Sequence, residues 1–429
     1  MKNQIQSLFI KNNIDFRKLK MLRLKEKSNK KKISKNTIGI IYGFCLFLLA
    51  QPYFIWNGDK TIYLVIEILI LSLSLFYLKN NYEYQIYDFI LLPVLFLLFF
   101  YSLQGQNISG FIIGSFPIIF FFIKSEKFSL FFYWFKVFFA ISIFLSLITY
   151  VLIYVFHISI IYHIIQPLNH FKSYTYKEYP FLVMPNGFDV DATDMFRFPG
   201  MFDEPGVIGT FAAIILVSEK FKLKSFINIT IFIGGLVSLS FFFIITSAVF
   251  AFYYLNNKFR FVLLFIIVIS FFLTKDNPMI DSNVWKRFEI ENGKLYGDNR
   301  TSAELDTYYK SFLKSNDVLV GKGANYIEKY DAGLSASYKQ FIIDYGLVFS
   351  IIIYLFFLIY ALITIKEKKN KFVFVILFSS VMFQRPFIFQ PIYFYLIVSS
   401  IYMLSENNTE KGVLIKIRKN KKMLIDSNK

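Results

Sequence analysis

One cysteine, Cys45, is all the thiol in this 429-residue chain. That excludes an intramolecular disulfide and any cysteine-based metal centre. Histidine is nearly as scarce: His157, His163 and His170 are the whole set, spaced too loosely for a metal site. No P-loop, dinucleotide fingerprint or serine-hydrolase elbow is present. Gly321-Lys322-Gly323 lacks the rest of a phosphate-loop pattern and reads as a turn. Charge is the other shortage, at 18% of residues against 56% hydrophobic and 21% aromatic. Residues 37–56, 61–78, 86–103 and 129–156 carry at most one charged side chain each. Each reaches the roughly 18–20 residues that span a bilayer.

The net charge of +18 raises the question of nucleic acid, and the positions of the charges answer it. Twelve Lys and Arg lie between Lys2 and Lys35, and seven between Lys411 and Lys429. These flank apolar stretches, as cytoplasmic ends do under the positive-inside rule. Both ends are then expected inside, residues 1–36 as a basic N-terminus and 405–429 as a basic tail, and the number of spans is even. No nucleic-acid partner is expected. The basic N-terminal region is too long and polar for a cleavable signal peptide.

Phe226 to Leu255 carries no charge and reads either as one span or as a hairpin of two short helices breaking near Leu239–Ser240. The hairpin puts Lys258 and Arg260 inside and obeys the charge rule. Val373 to Leu404 breaks at Arg385-Pro386, because Pro removes a donor and disfavours helix in the residue before it. The expectation is an all-α polytopic membrane protein with about 12 transmembrane helices over 37–404. Two larger polar segments, about 157–204 and 274–338, then emerge on the outer face. Neither shows the periodicity of a separate globular domain, and no internal repeat is visible.

The first outer segment ends in Arg197-Phe198-Pro199-Gly200-Met201-Phe202-Asp203-Glu204-Pro205-Gly206. Glu204-Pro205 suits a helix start, with a polar residue at the cap and Pro in the first turn. In the second segment Thr301 and Glu304 have capping-box spacing. Leu305, Tyr308, Tyr309, Phe312 and Leu313 then fall on one helical face, as in a helix lying on a membrane surface. Arg300 stands just before that helix, where free N–H groups favour anions. Lys outnumbers Arg several-fold, yet Arg197, Arg287, Arg300 and Arg385 all fall on the expected outer side. An Arg fork holds a phosphate by two parallel hydrogen bonds, which Lys does not do.

The Arg-Phe-Pro-Gly-x-Phe-x-Glu-Pro-Gly run resembles that of the Wzy-type O-antigen and capsule polymerases. So does the later series of Arg300, Gly321-Lys322-Gly323 and Ser335-Ala336-Ser337-Tyr338-Lys339-Gln340-Phe341-Ile342-Ile343-Asp344-Tyr345-Gly346. The motif-like similarity covers about 60 residues of a superfamily that includes the O-antigen ligases. The resemblance implies a GT-C-like membrane glycosyltransferase in the bacterial cytoplasmic (inner) membrane. Its substrates would be undecaprenyl-diphosphate-linked glycans, with no cofactor or metal, and a chain-length regulator and a flippase as partners. Its products would be O-antigen, capsule or exopolysaccharide. The resemblance places Arg197 and Arg300, with Arg287 a looser match, on the diphosphate. The expected site is then Arg197, Arg300, Glu204 and Asp203 as catalytic, with Arg287, Arg385 and Tyr338 binding substrate. Glu204 or Asp203 would orient or deprotonate the acceptor hydroxyl. Ligases carry a His shortly before the final Tyr-Gly, near Ser335 here, and this chain has none after His170. That departure favours polymerase over ligase. A flippase for lipid-linked oligosaccharide is the alternative of another class, and it predicts ionisable groups inside spans. Only Glu67, Lys136 and Asp344 stand out there.

Overall fold

The computed structural model describes residues 37–58, 60–79, 92–102, 108–168, 174–186, 197–256, 302–324 and 337–405, with short pieces at 88–89, 260–295 and 326–327. Residues 1–36 and 406–429 lie outside the described residues, and with them both expected basic ends.

Apolar helices dominate. In chain order the first five are α1 (Thr37–Leu49), α2 (Lys60–Leu75), α3 (Leu92–Ser102), α4 (Ile108–Phe121) and α5 (Ser125–Tyr154). After the first polar segment come α6 (Pro205–Ser218), α7 (Phe226–Val237) and α8 (Phe241–Tyr254). Last come α9 (Ala303–Phe312), α10 (Tyr338–Thr364), α11 (Lys368–Gln384) and α12 (Pro391–Ser405). By length and composition α5 and α10 are long and apolar enough to cross a membrane, and most of the other apolar helices are shorter. The stretch from 37 to 56 is one such shortening. Its helix ends at Leu49, because Gln51 adopts φ 55° and Pro52 follows, leaving one separate turn at Tyr53–Trp56.

The breaks read from the sequence are where the chain turns. Leu239, at φ 45°, separates α7 from α8. Arg385 leaves the helical region at φ −146°, ψ 78° and ends α11 before Pro386.

The centre of the bundle is α6 with α12. Nearly every residue of Pro205–Ser218 is buried, and the same holds for Pro391–Ser405. A helix apolar on all sides must be surrounded. α6 packs on α7, α8, α11 and α12, and α12 reaches α4, α5 and α10. Aromatic rings fill the gaps: Tyr42 stacks on Phe131 at 3.8 Å, and Phe128 lies between Tyr395 (5.5 Å) and Tyr402 (4.8 Å). Offset ring pairs of this kind contribute about 0.5–1.5 kcal/mol beyond their buried area.

The first polar segment holds strand structure that its composition does not announce. β1 (His163–Ile165), β2 (Tyr176–Tyr179) and β3 (Leu182–Pro185) form an antiparallel sheet in chain order, with Tyr176 opposite Ile165 and Pro185. Its turn is tied to α5: Thr149 Oγ1 donates to Pro180 O at 2.8 Å and Ser146 Oγ donates to Phe181 O. Two short strands, β4 (Ile290–Glu291) and β5 (Lys294–Leu295), pair in the second segment.

α9 departs from expectation in two ways. Its cap is Ser302, whose hydroxyl accepts from Leu305 N at 3.1 Å, so the Thr301–Glu304 capping box does not describe this start. Glu304 takes its hydrogen bonds from Ser302 and its own N–H, which hold its carboxyl below the usual carboxylate range. The apolar face is also not turned to lipid. Leu305 and Phe312 are buried against Ile327 and Ile343, with Tyr308 Oη donating to Tyr326 Oη at 3.3 Å. Only Leu313, 46% exposed, keeps the surface position.

α10 is kinked at Gly346, which has φ 80° and ψ 162° inside the helix. The kink takes the Ile343 and Asp344 carbonyls out of the helical ladder. Lys322 N and Gly323 N donate to them at 2.8 and 2.9 Å, and Val348 N donates back to Leu319 O at 3.2 Å. Gly321 and Gly346 run backbone against backbone, and a Cβ on either would overlap the other strand. Gly321-Lys322-Gly323 is thus a turn with a definite partner. Asp344 Oδ1 fastens it further by accepting from Ile327 N at 3.0 Å.

Candidate functional site

Glu204 has extended backbone (φ −142°, ψ 139°) and Pro205 opens α6, as the sequence predicts. The Glu204 side chain does not cap the helix. It is drawn to Arg385, whose Nη2 donates to Glu204 Oε2 across 181 positions of sequence. Arg385 is 3% exposed, and an Arg this deeply desolvated requires an anion at hand. Phe387 lies 5.9 Å from its guanidinium carbon. Its Nε is buried without a hydrogen-bond partner among the described residues. Gly206 explains the close approach: a Cβ there would overlap the guanidinium, so the Gly after Glu204-Pro205 is the space Arg385 occupies.

Two more of the predicted arginines belong to the same end of the bundle. Arg197 Nε donates to Ser238 O at 3.3 Å, and Phe198 N donates to Val237 O at 3.4 Å. This ties the first polar segment to the α7–α8 bend. That bend lies on α6, with Ser240 against Gly209, one turn beyond Gly206. Arg287 belongs to a 3-10 turn, Lys286–Phe288, whose Phe288 ring meets Phe241 at 4.9 Å, the first residue of α8. The turn carrying Arg287 therefore docks beside the bend that holds Arg197. Arg300 lies outside the described residues, as do Thr301 and His170.

Tyr338, the first residue of α10, stacks on Phe383 at 4.9 Å and 20°, two residues before Arg385. Tyr309 of α9 packs edge-on against Tyr338, and Lys339 Nζ donates to Asp306 Oδ1 at 2.7 Å. Both polar segments thus converge on the end of the bundle where α6 begins and α11 ends.

Asp203 is committed elsewhere. It is 7% exposed; its carboxylate accepts from Leu168 N at 3.2 Å and its carbonyl from Tyr176 Oη. Tyr53 N donates to Met201 O and Val183 N to Gly200 O, while Phe198, Met201 and Phe202 are buried. The Arg-Phe-Pro-Gly-Met-Phe-Asp run is therefore a packed belt joining the sheet to the bundle. Glu204, with its side chain 32% exposed, is the acid left at the surface of that belt.

Chemically, the arrangement offers a helix N-terminus, a buried guanidinium and an accessible carboxylate within one turn of each other. Helix N-termini and Arg forks both favour oxyanions, and a carboxylate beside them can take a proton. The pairing of Glu204 with Arg385 was not readable from sequence. The signal that could have pointed to it is the conjunction of an Arg-Pro helix break with a Glu-Pro-Gly helix start. Compared with protein-family models, curated proteins and solved structures, the chain finds no match.

Proposed function

We propose that this chain is a multi-pass membrane glycosyltransferase that polymerises undecaprenyl-diphosphate-linked oligosaccharide units at the outer face of a bacterial cytoplasmic membrane. The observation that carries this reading is the gathering of Arg197, Arg385 and the turn bearing Arg287 around the start of α6, beside Glu204. In the reaction, the acceptor hydroxyl oxygen forms a bond to the anomeric carbon of the donor. The bond from that carbon to the lipid diphosphate breaks, inverting the centre, and the diphosphate leaves with the electron pair. The hydroxyl proton passes to Glu204. Stabilising the diphosphate charge is the main electrostatic task, and arginines beside a helix N-terminus suit it. Arg300, immediately before the Thr301-Ser302 pair that leads into α9, belongs to the same set on this reading.

The reading includes twelve spans, both termini inside, Lys220 and Lys368 inside, and Lys310 outside. Cysteines introduced singly after replacement of Cys45 test it with an impermeant thiol reagent. Labelling of position 310 from the cytoplasmic side alone overturns the placement of the site. For the chemistry, the purified protein is given a lipid-linked repeat unit and chain growth is followed by mass. Growth that is lost in Arg385→Lys supports the reading; no growth with the intact protein overturns it.

A transporter reading draws on one observation. Glu67 in α2 is buried, and neither carboxylate oxygen has a hydrogen-bond partner among the described residues. An ionisable group buried within a span is what a transport path would carry. Movement of lipid-linked glycan across vesicles, abolished by Glu67→Gln with glycan transfer intact, is the result that would favour it.

A further inference from the structure

We infer that Glu204 and an incoming phosphate or diphosphate group exchange places on Arg385, so that anion binding itself releases the carboxylate. This rests on the reading of the site given above and adds an order of events to it.

The argument starts from what Arg385 can accept. A guanidinium has five N–H donors in a fixed fork. Its Nη2 is engaged by Glu204, and its Nε is buried without a partner among the described residues. The pair as it stands leaves donor capacity unused in a desolvated place. A phosphate has more acceptor oxygens than a carboxylate and suits a two-point contact with the fork.

The surroundings favour the same ligand. The guanidinium lies against Gly206, in the first turn of a 14-residue helix, where the unpaired N–H groups and the dipole attract negative charge. Glu204 is the N-cap residue, yet its side chain caps nothing. The carboxylate therefore stands on Arg385 in the position a ligand anion would use. Its own side chain is 32% exposed against 4% for Arg385, so it can swing out while the guanidinium stays. A buried Arg stripped of any anion is strongly disfavoured, which makes exchange the low-cost route and simple departure of Glu204 the costly one.

The consequence for the reaction is sequence in time. Until an anion arrives, Arg385 holds Glu204 by its hydrogen bond. Once a diphosphate takes Arg385, Glu204 is freed next to the reacting centre, where it accepts the acceptor hydroxyl proton as the sugar–diphosphate bond breaks. The base is thus armed only when the donor is in place.

The test uses full-length protein in detergent with two probes, inorganic pyrophosphate and a short polyprenyl diphosphate, titrated calorimetrically. Glu204→Gln removes the competing charge and is expected to tighten pyrophosphate binding by about fivefold or more, within the usual range of coupling between ligands. Arg385→Gln is expected to abolish it. Equal or weaker binding in Glu204→Gln overturns the exchange. A second measurement needs no variant. Carbodiimide labelling of Glu204 in the unmodified protein, read by peptide mass, should rise when pyrophosphate saturates the site. Labelling that is unchanged or falls also overturns it. Tighter binding of the polyprenyl probe than of pyrophosphate identifies a lipid-borne ligand, and equal binding a free one; either accords with exchange on Arg385. Exchange without transfer of glycan would leave this inference standing and sink the glycosyltransferase. Transfer at full rate in Glu204→Gln would do the reverse.

Discussion

α6 carries an acid at each end, and the two are treated differently. Glu219, just past the C-terminus, is saturated: Oε1 accepts from Lys136 Nζ at 2.5 Å and Oε2 from Asn228 Nδ2 at 2.6 Å. Both side chains of that ion pair are 15% exposed or less. Glu204, at the N-terminus, meets an Arg whose Nε is unused, and its side chain is twice as exposed. The helix dipole sets the contrast. Negative charge is favoured at the N-terminus and disfavoured at the C-terminus, so Glu219 needs both donors simply to be tolerated. Glu219 is a clamp, closing Lys136 of α5 onto the end of α6 and the start of α7. The Glu204 end has a donor to spare in Arg385 Nε, and spare capacity in a buried polar cluster is what a ligand can use.

If that contrast is right, the clamp fails in stability and the other pair fails in activity. Lys136→Met should give the largest loss of stability. It leaves Glu219 without its cation, and removing one partner of a buried pair typically costs about 3–5 kcal/mol. Thermal unfolding in detergent reads this. Restoration by Lys136→Met with Glu219→Gln would confirm that the charge, and not the packing, was lost. A stable Lys136→Met protein would erase the distinction between the two ends.

Glu204→Gln should act on the chemistry. Turnover on a lipid-linked repeat unit is expected to fall by about 10²–10⁴-fold, the usual span for loss of a general base. Unfolding should shift less than in Lys136→Met, because the site is partly open to water. Full turnover would make Glu204 a second clamp. Arg300→Lys, with charge kept and the fork lost, should also impair polymerisation; a charge-assisted hydrogen bond contributes about 1.5–3 kcal/mol. Arg418→Lys in the basic tail is the control and should be silent. Normal polymer length in Arg300→Lys at normal protein level would remove Arg300 from the anion site.

The smallest effect is expected from Ser302→Ala, which removes the α9 cap. Loss of such a cap costs about 0.5–2 kcal/mol. Faster hydrogen exchange confined to 303–312 would be the mark, with both ends of α6 unaffected. Exchange that spreads to Arg385 would show that α9 supports the site through Tyr309 and Tyr338.

The features legible in the sequence are the ones decided locally. Pro205 opening α6, the bend at Leu239–Ser240 and the stop at Arg385-Pro386 each follow from a few adjacent residues. The features that escaped are decided at a distance. Nothing near Glu204 indicates Arg385, and nothing near Ser146 or Thr149 indicates that a β-turn will rest on them. Thr301 and Ser302 are both good caps, and one residue of register separated the reading from the outcome. The amphipathic face of α9 was visible as a pattern, but a pattern does not say whether lipid or protein covers it. Here Ile327 and Ile343 do. Glu204 and Arg385 are legible in the sequence as residue types, and their pairing is not.

The break at Gly346 also acts as a ruler. Backbone carbonyls freed from a helix cannot be left facing hydrocarbon, where each unsatisfied group costs several kcal/mol. The segment 319–323 meets those of Ile343 and Asp344, so this level of α10 is braced by protein. Beyond it, Leu347 to Thr364 runs uninterrupted for about 27 Å at the helical rise of roughly 1.5 Å per residue. That is close to the roughly 30 Å thickness of a bilayer's hydrocarbon layer. A single glycine thereby divides one 27-residue helix into a piece whose length matches a bilayer and a shorter piece braced by the segment 319–323.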